Sequence, residues 1–438
     1  MRFLIDLVYL LVILALSPKL IYRSIRQNRY RSGWSERLGH IDRLQPEKPC
    51  IWIHAVSVGE VNSTQTIVAG LKKVFADFEI VISSTTDTGF SRAHALYAVE
   101  HRVFYFPLDL SFIIEKAFDN IQPAICLLME LEVWPNFTRS AWHRAVPIVV
   151  VNGRISDRSF PRYRAIRFPA RSIFRKVALV LAQTEEYARR FRMLGCDPDK
   201  VIVTGSLKYD TAEIADSAAG AEELAEKLGI AHEPLLVAGG TGPGEEKIIL
   251  DVFSKVKKNF GELRLVIVPR KPERFDEAAK MIEQAGFALR RYSGIKKGES
   301  SGQVNSEAVI LGDTMGDLRR FYSLAKVVFV GRSLVPMGGS DMMEAAALGK
   351  CTIFGPYTFN FKQTVDALLA GGGAVEVANE EELAAVIEKC LTDEGYREGI
   401  ARRGQEIIRQ NQGATAKSVE AISKLPVKLD RQQSVTGY

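Results

Sequence analysis

Cysteine is scarce in this chain and unpaired. The five present (Cys50, Cys126, Cys196, Cys351 and Cys390) are odd in number and form no C-x-x-C pair. That excludes a disulfide framework and a cysteine-built zinc site, and points to reduced thiols in a cytosolic compartment. Histidine is missing beyond residue 232: His40, His54, His94, His101, His143 and His232 all lie in the first 232 residues. Any site beyond residue 232 therefore works without imidazole. There is no short-period repeat, no low-complexity segment and little charge imbalance, +6 over 438 residues, so net charge does not imply nucleic acid. Apolar residues at 47% and charged residues at 25% are globular averages, which excludes a disordered, collagen-like or polytopic membrane protein. At about 150 residues per domain, the length suggests two or three domains.

What is present begins with an apolar N-terminus. Phe3 to Leu16 is broken only by Asp6 and ends at Ser17-Pro18. A helix of that length reaches ~21 Å, short of the ~30 Å hydrocarbon core; continuing through Tyr22 gives a marginal span. No small-residue cleavage site follows, and Lys19, Arg23, Arg26, Arg29 and Arg31 keep that flank cytoplasmic. The expectation is an N-terminal membrane anchor over 1–22 on a protein at the cytoplasmic face of the inner membrane; a buried N-terminal helix is the alternative.

Beyond it, short β-branched runs alternate with amphipathic stretches. Strands are predicted at Ile51–Val56, Glu79–Ser83, Ala124–Met129, Ile148–Val151, Leu179–Ala182 and Val201–Thr204. A second series falls at Leu235–Ala238, Leu263–Val268, Ala308–Leu311, Val327–Val330 and Cys351–Phe354. Such alternation means α/β architecture: two doubly wound Rossmann-like domains, with ligands at the carboxyl ends of the strands in a cleft between them. The predicted division is 23–206, a linker at 207–230, 231–405, and a C-terminal helix and tail at 406–438. The helical stretch Tyr396–Ser423 is expected to cross back to the first domain.

A dinucleotide fold is excluded. The glycine-rich turn Leu235–Gly244 does not space its glycines as G-x-G-x-x-G, and the next strand ends in Pro269-Arg270-Lys271 with no carboxylate for a ribose. It is no G-K-[ST] P-loop either. A glycine turn opening onto a helix still suits a phosphate or anionic sugar.

Four constellations carry candidate chemistry. In His54-Ala55-Val56-Ser57-Val58-Gly59-Glu60 a strand ends, Gly59 allows a tight turn and Glu60 opens a helix. The helix start favours the ionised carboxylate that a general base requires; a purely structural helix-start glutamate is the competing reading. In Met129-Glu130-Leu131-Glu132-Val133-Trp134-Pro135 an extended chain would place Glu130 and Glu132 on one face, with Pro135 ending the strand. In Gly205-Ser206-Leu207-Lys208 a lysine at the domain junction can neutralise a carboxylate or phosphate. Finally, Gly312–Asp317 and Gly331–Glu344 are glycine-rich strand-to-helix turns. With Pro269-Arg270 they describe a nucleotide clamp of backbone and helix ends, with no metal and no cofactor.

The strings HAVSVGE, ELEVWPN, GSLKYD, VPRKPERF, LGDTMGDL, SLVPMGG and FGPYTFNF, in this order up to about residue 365, resemble those of the 3-deoxy-D-manno-octulosonic acid (Kdo) transferases. These are inverting GT-B glycosyltransferases that use CMP-Kdo and act on the lipid A precursor, lipid IVA. The resemblance implies Glu60 as general base and Glu130 and Lys208 as further catalytic residues. It implies CMP contacts at Pro269, Arg270, Met315, Gly316, Asp317, Asp341, Met342, Met343 and Glu344. The helix expected to begin near Ser340, with Gly338 and Gly339, would receive the donor phosphate. Where the family usually shows histidine or G-G-H-N, this chain has Gly242, Lys271 and Ser340-Asp341. Lys271 keeps a positive charge, Ser340 can donate one hydrogen bond, and Asp341 adds a negative charge.

A basic stretch fits the same picture. Arg154, Arg158, Arg162, Arg164, Arg167, Arg171, Arg175 and Lys176 are interleaved with Phe160, Tyr163, Phe168 and Phe174, and no nucleic-acid-binding motif accompanies them. The expectation is a patch for a phosphorylated lipid at an anionic membrane surface. Asp197-Pro198-Asp199 matches a metal-binding D-x-D pattern but reads as turn chemistry. Two alternatives remain open at this level: a GT-B enzyme using another nucleotide sugar, such as UDP-N-acetylglucosamine, on a lipid-linked acceptor, and a non-catalytic glycolipid-binding relative.

Overall fold

The computed structural model describes residues 5–11, 14, 15, 17, 22, 26, 32–298 and 307–426. The chain divides into two compact units, Met1–Thr211 with Gln412–Tyr438, and Ala212–Asn411.

The first unit is a seven-stranded sheet. Its strands are β1 (Cys50–His54), β2 (Glu79–Ser84), β3 (Arg102–Tyr105), β4 (Pro123–Met129), β5 (Ile148–Gly153), β6 (Leu179–Ala182) and β7 (Val201–Val203). Every pairing is parallel, in the order β3-β2-β1-β4-β5-β6-β7. Helices cover both faces, so the central strands are apolar along their length. On one face Trp52 packs among Phe104, Phe106, Phe118 and Phe137, with ring centroids 4.9–6.0 Å apart.

The second unit repeats the plan with β8 (Leu235–Thr241), β9 (Arg264–Pro269), β10 (Leu289–Arg291), β11 (Val309–Leu311), β12 (Val327–Val330), β13 (Cys351–Phe354) and β14 (Val375–Glu376). These strands are also all parallel, in the order β10-β11-β9-β8-β12-β13-β14.

Three strands escape the sequence pattern, β3, β10 and β14, and each lies at a sheet edge. The segment 207–230, read as a linker, carries two helices, Leu207–Asp210 and Ala221–Leu228. The latter buries Ala221, Leu224 and Leu228, and its end is held by Arg264 to Gly229 O (2.8 Å) and Arg290 to Leu228 O (3.0 Å). The C-terminal stretch expected to be one helix is two. Glu394–Asn411 belongs to the second unit, and Ala414–Ser423 to the first. The break is Gly413, at φ +100°, whose N–H donates to Asp210 (2.7 Å).

Among the described residues no helix is long and apolar enough to cross a membrane; much of the anchor expected over 1–22 lies outside the described residues. In the part described, Asp6 accepts from Ser111 N (2.9 Å) and Asn136 Nδ2 (3.0 Å). Leu7, Val8, Leu10, Leu11 and Leu14 are exposed.

Candidate active site

In the first unit the chain runs β1, β2, β3 to one side and then returns to place β4 on the other side of β1. The carboxyl ends of β1 and β4 therefore flank the switch point of a doubly wound sheet, where ligands bind in such folds. HAVSVGE follows β1 and ELEVWPN follows β4, so the topology brings these two motifs together.

Ser57 caps the helix Val58–Val74: its side chain accepts from Glu60 N (3.3 Å). Glu60 answers by accepting from Ser57 Oγ (2.8 Å) and Val56 N (3.0 Å). This is a capping box, so Glu60 serves the helix and its carboxylate is fixed in orientation at the same time. Gly59 is not the turn residue expected. It sits inside the helix, and a Cβ there would meet only Ser57 Oγ at 3.9 Å, leaving open space beside Glu60.

β4 ends at Met129, and Glu130 adopts φ +51°, a left-handed conformation uncommon for a non-glycine residue. The chain is thus not extended over 130–132, and the expected reason for a shared face fails. Nor does Pro135 end the strand; it opens the helix Pro135–His143. The carboxylates nonetheless converge. Burial raises Glu60 above the usual carboxylate range, against the Val56 N–H, and the charge of Glu130 adds to the rise. Burial, with the charge of Glu60 next, pushes Glu132 up to about 7. Trp134 Nε1 donates to Glu132 Oε2 (3.0 Å).

His54, at the end of β1, was not singled out as a functional residue from sequence. It is fully buried, stacked on Phe106 at 3.8 Å, with Nδ1 3.2 Å from Ser83 O and Nε2 4.0 Å from Glu132 Oε2. Burial pushes it down to about 3, so it is neutral. The available signal was a histidine inside an otherwise apolar buried strand.

Lys208 lies on the short helix Leu207–Asp210 after β7 and is half-buried. The helix start is set from β5: Leu207 N donates to Asn152 Oδ1 (3.1 Å). Asn152 is buried, at φ +57°, a second left-handed residue beside Glu130 on neighbouring strands. The sequence did not mark it.

The basic stretch forms the helices Phe160–Ala165 and Arg167–Phe174. Arg154, Arg158, Arg162, Arg164, Arg167, Arg171 and Arg175 are exposed, as are Ile166 and Phe168, the latter at 76%. Asp157 pairs instead with Arg190. Asp197 caps the turn Pro198–Lys200, accepting from Asp199 N (3.2 Å).

In the second unit the switch point lies between β8 and β12, and there the structure departs from expectation. The glycine turn is already occupied by the chain's own anion. Glu245, fully buried at the start of the helix Glu245–Lys257, accepts from Gly242 N (3.0 Å), Ser333 N (2.8 Å), Leu334 N (2.9 Å) and Arg332 N. The phosphate expected at Gly338, Gly339 and Ser340 meets the same difficulty. Gly339 N and Ser340 N donate to Arg332 O (2.8 Å) and Gly331 O (2.9 Å). Ser340 Oγ donates to Gly240 O (2.7 Å), so the hydrogen bond Ser340 can offer is already made. The helix expected near Ser340 starts at Met343. A Cβ on Gly242 would come within 2.7 Å of Met337 Sδ and 3.0 Å of Arg332 Cγ, so a side chain there requires those two side chains to shift.

Of the other residues expected at the nucleotide, Arg270, Met315 and Gly316 are exposed. Pro269, Met342 and Met343 are buried. Asp317 is held by Thr314 Oγ1 (2.6 Å), Lys296 (3.0 Å) and Arg320 (3.2 Å). Glu344, raised by burial and by Asp341, faces the counteracting charges of Arg319 and Arg270. The Tyr322 hydroxyl, buried in the same surroundings, has no hydrogen-bond partner among the described residues.

A family model for 3-deoxy-D-manno-octulosonic-acid transferase (kdotransferase) matches residues 32–211. The chain is 32% identical over 401 residues to the 3-deoxy-D-manno-octulosonic acid transferase of Haemophilus influenzae, covering 91% of this chain and 92% of that protein. It is 28% identical over 436 residues to the enzyme of the same name from Bordetella pertussis, covering 95% and 98%. Among solved structures, a UDP-GlcNAc 2-epimerase from Neisseria meningitidis bound to UDP-GlcNAc aligns with TM-score 0.55 at 14% identity, over 86% of this chain and 100% of that one. A glycosyltransferase from Rickettsia africae gives 0.55 at 14%, over 86% and 98%. These two likenesses are of fold, and the fold is GT-B-like.

Proposed function

Since the chain belongs to the 3-deoxy-D-manno-octulosonic acid transferase family and is a glycosyltransferase, we propose that it transfers Kdo from CMP-Kdo to lipid IVA with inversion. The observation that carries this reading is the convergence of Glu60, Glu130 and Glu132 at the β1/β4 switch point, with Glu60 oriented by its capping box. In the reaction an acceptor sugar hydroxyl attacks the anomeric carbon of Kdo, its proton passes to the Glu60 carboxylate, and CMP departs. Glu130 supports the reacting centre electrostatically and Lys208 stabilises the charge that develops on the leaving phosphate. On the second unit Arg270, Asp341 and Glu344 are the best-placed groups for the nucleotide. In the loop 338–340, Gly339 N, Ser340 N and Ser340 Oγ are bonded within the chain, so the donor phosphate is not assigned to these three groups.

The acceptor reading is supported by the exposed arginines of 154–175 with Ile166 and Phe168, which suit phosphate and acyl groups at an anionic bilayer. The exposed leucines of residues 7–14 support attachment at the cytoplasmic face of the inner membrane, because Asp6 is turned onto the first unit.

Mass spectrometry of lipid IVA incubated with the protein in detergent and CMP-Kdo made in situ tests the proposal. Addition of Kdo is expected, and the spectrum counts the units. Unmodified lipid beside an active control enzyme, with thermal protection by UDP and none by CMP, would overturn the donor assignment. Glu60→Gln is expected to lower turnover at least 100-fold while leaving donor binding intact; an undiminished rate would remove Glu60 as base.

A further inference from the structure

The capping box and the sheet edge account for Glu60 and Glu130, but not for the buried histidine or the second glutamate of ELEVWPN. Among the described residues His54 Nε2 has no hydrogen-bond partner, and its side chain is fully buried. An unpaired buried polar atom is costly, and Glu132 Oε2 lies 4.0 Å from this one.

The ring's other nitrogen settles its tautomer. Nδ1 is 3.2 Å from the Ser83 carbonyl oxygen and 3.0 Å from Ser83 Oγ. A carbonyl oxygen only accepts, and the Ser83 hydroxyl donates to Ile53 O (3.4 Å), so the proton is assigned to Nδ1. Trp52 Nε1 donates to Ser83 Oγ (2.8 Å) and holds that hydroxyl in place. Nε2 is then a lone pair, and an ionised Glu132 facing it would set two acceptors against each other. A protonated Glu132 donates instead, after a shortening of about 1 Å. Its Oε2 continues to accept from Trp134 Nε1 (3.0 Å).

We propose that Glu132 is a positioning residue that holds a proton toward His54 Nε2, so that Glu60 is the carboxylate left ionised to act as base. This rests on the reading of Glu60 above. Three carboxylates meet at this edge, and two of them, Glu60 and Glu130, act on Glu132. Tyr163, from the helix Phe160–Ala165, is the phenol facing it. With β1 supplying only a neutral imidazole, a proton on one carboxyl group relieves the repulsion, as in other carboxylate pairs that share a site. Burial raises both carboxyls, but the Val56 N–H and the Ser57 hydroxyl and N–H oppose the rise at Glu60, whereas Glu132 has only the Trp134 N–H against burial and the Glu60 charge. During turnover Glu132 keeps its proton; the acceptor's proton goes to Glu60 and then to solvent.

The test is Glu132→Gln, which cannot ionise and whose amide NH2 can donate to His54 Nε2, at the cost of the acceptor for Trp134 Nε1. In the wild type kcat/KM should fall on the alkaline side as Glu132 ionises. The variant should remain active and lose that alkaline fall. A folded variant inactive at every pH would show that Glu132 works as an anion and overturn the proposal. Infrared difference spectra, wild type minus variant, give a readout independent of activity: the carbonyl stretch of an un-ionised carboxylic acid is expected near pH 6 and should fade above pH 8. Absence of that band overturns the proposal whatever Glu60 does. A band that persists while Glu60→Gln retains full turnover would instead sink the assignment of Glu60 alone.

Discussion

At the scale of single residues, the first unit stores opposed electrostatic strains. Glu132 and Asp109 are both pushed up to about 7 by burial. His54 is pushed down to about 3. The signs differ. A carboxyl raised in the folded chain keeps a proton that the unfolded chain has released, so stability falls as pH rises from the ordinary carboxylate range through 7. The lowered imidazole is neutral in the fold and charged in the unfolded chain below about 6.5, so stability is lost as pH falls from there toward 3. Glu132→Gln should therefore raise the urea midpoint at pH 8 and leave it nearly unchanged at pH 4, the difference being on the order of 2–3 kcal/mol. Tryptophan fluorescence reads this cleanly, because Trp34, Trp52, Trp134 and Trp142 all lie in the first unit. A midpoint shift equal at both pH values would show that Glu132 is ionised in the fold.

At the scale of elements, what was legible in the sequence depended on burial. Strands with helices on both faces read as apolar runs, which is why Cys50–His54 or Val327–Val330 stand out. β3 (RVFY), β10 (LRR) and β14 (VE) lie at sheet edges, where one side needs no strand partner and the apolar signal fades. The site divides the same way. Glu60 was legible because a helix start follows a strand. Asn152 was not, because its importance lies in a left-handed backbone and one hydrogen bond to Leu207, neither of which leaves a composition trace. Glu245 was hidden for a different reason: an acidic residue at a helix start is ordinary, and only the fold brings Arg332, Ser333 and Leu334 N–H groups onto it. Glu245→Ala would leave two buried donors, Gly242 N and Ser333 N, unpaired at about 1–3 kcal/mol each, and the part-buried Arg332 N and Leu334 N unpaired at less. The loops after β8 and β12 should then lose hydrogen-exchange protection by at least 100-fold at residues 331–334. Unchanged protection there would show that the carboxylate is not what holds the two loops.

At the scale of the whole molecule, the chain leaves the first unit at Thr211 and re-enters it at Gln412. The returning helix Ala414–Ser423 buries Ala414, Val419 and Ile422 in the core that Ile67, Val68 and Leu71 share. Asp210 receives its first N–H groups, those of Gly413 and Thr415. Ending the chain at Asn411 removes the burial of Val419 and Ile422, about 1.5–3 kcal/mol for each. The tryptophan-detected transition should move to lower denaturant, while exchange protection within 235–390 stays as it was. Equal loss in both units would mean that the tail stabilises the second unit as well.

That return has a consequence for how the protein is made. A ribosome delivers residues 1–211 first, then roughly 200 residues of the second unit, and only then the helix that completes the first. At ~5–20 residues per second, the groove along Val58–Val74 waits some 10–40 seconds for its last strip of apolar side chains. Throughout that interval the nascent first unit, acidic edge included, exists as an unfinished body with a greasy seam exposed, and chaperone contact during synthesis should concentrate there.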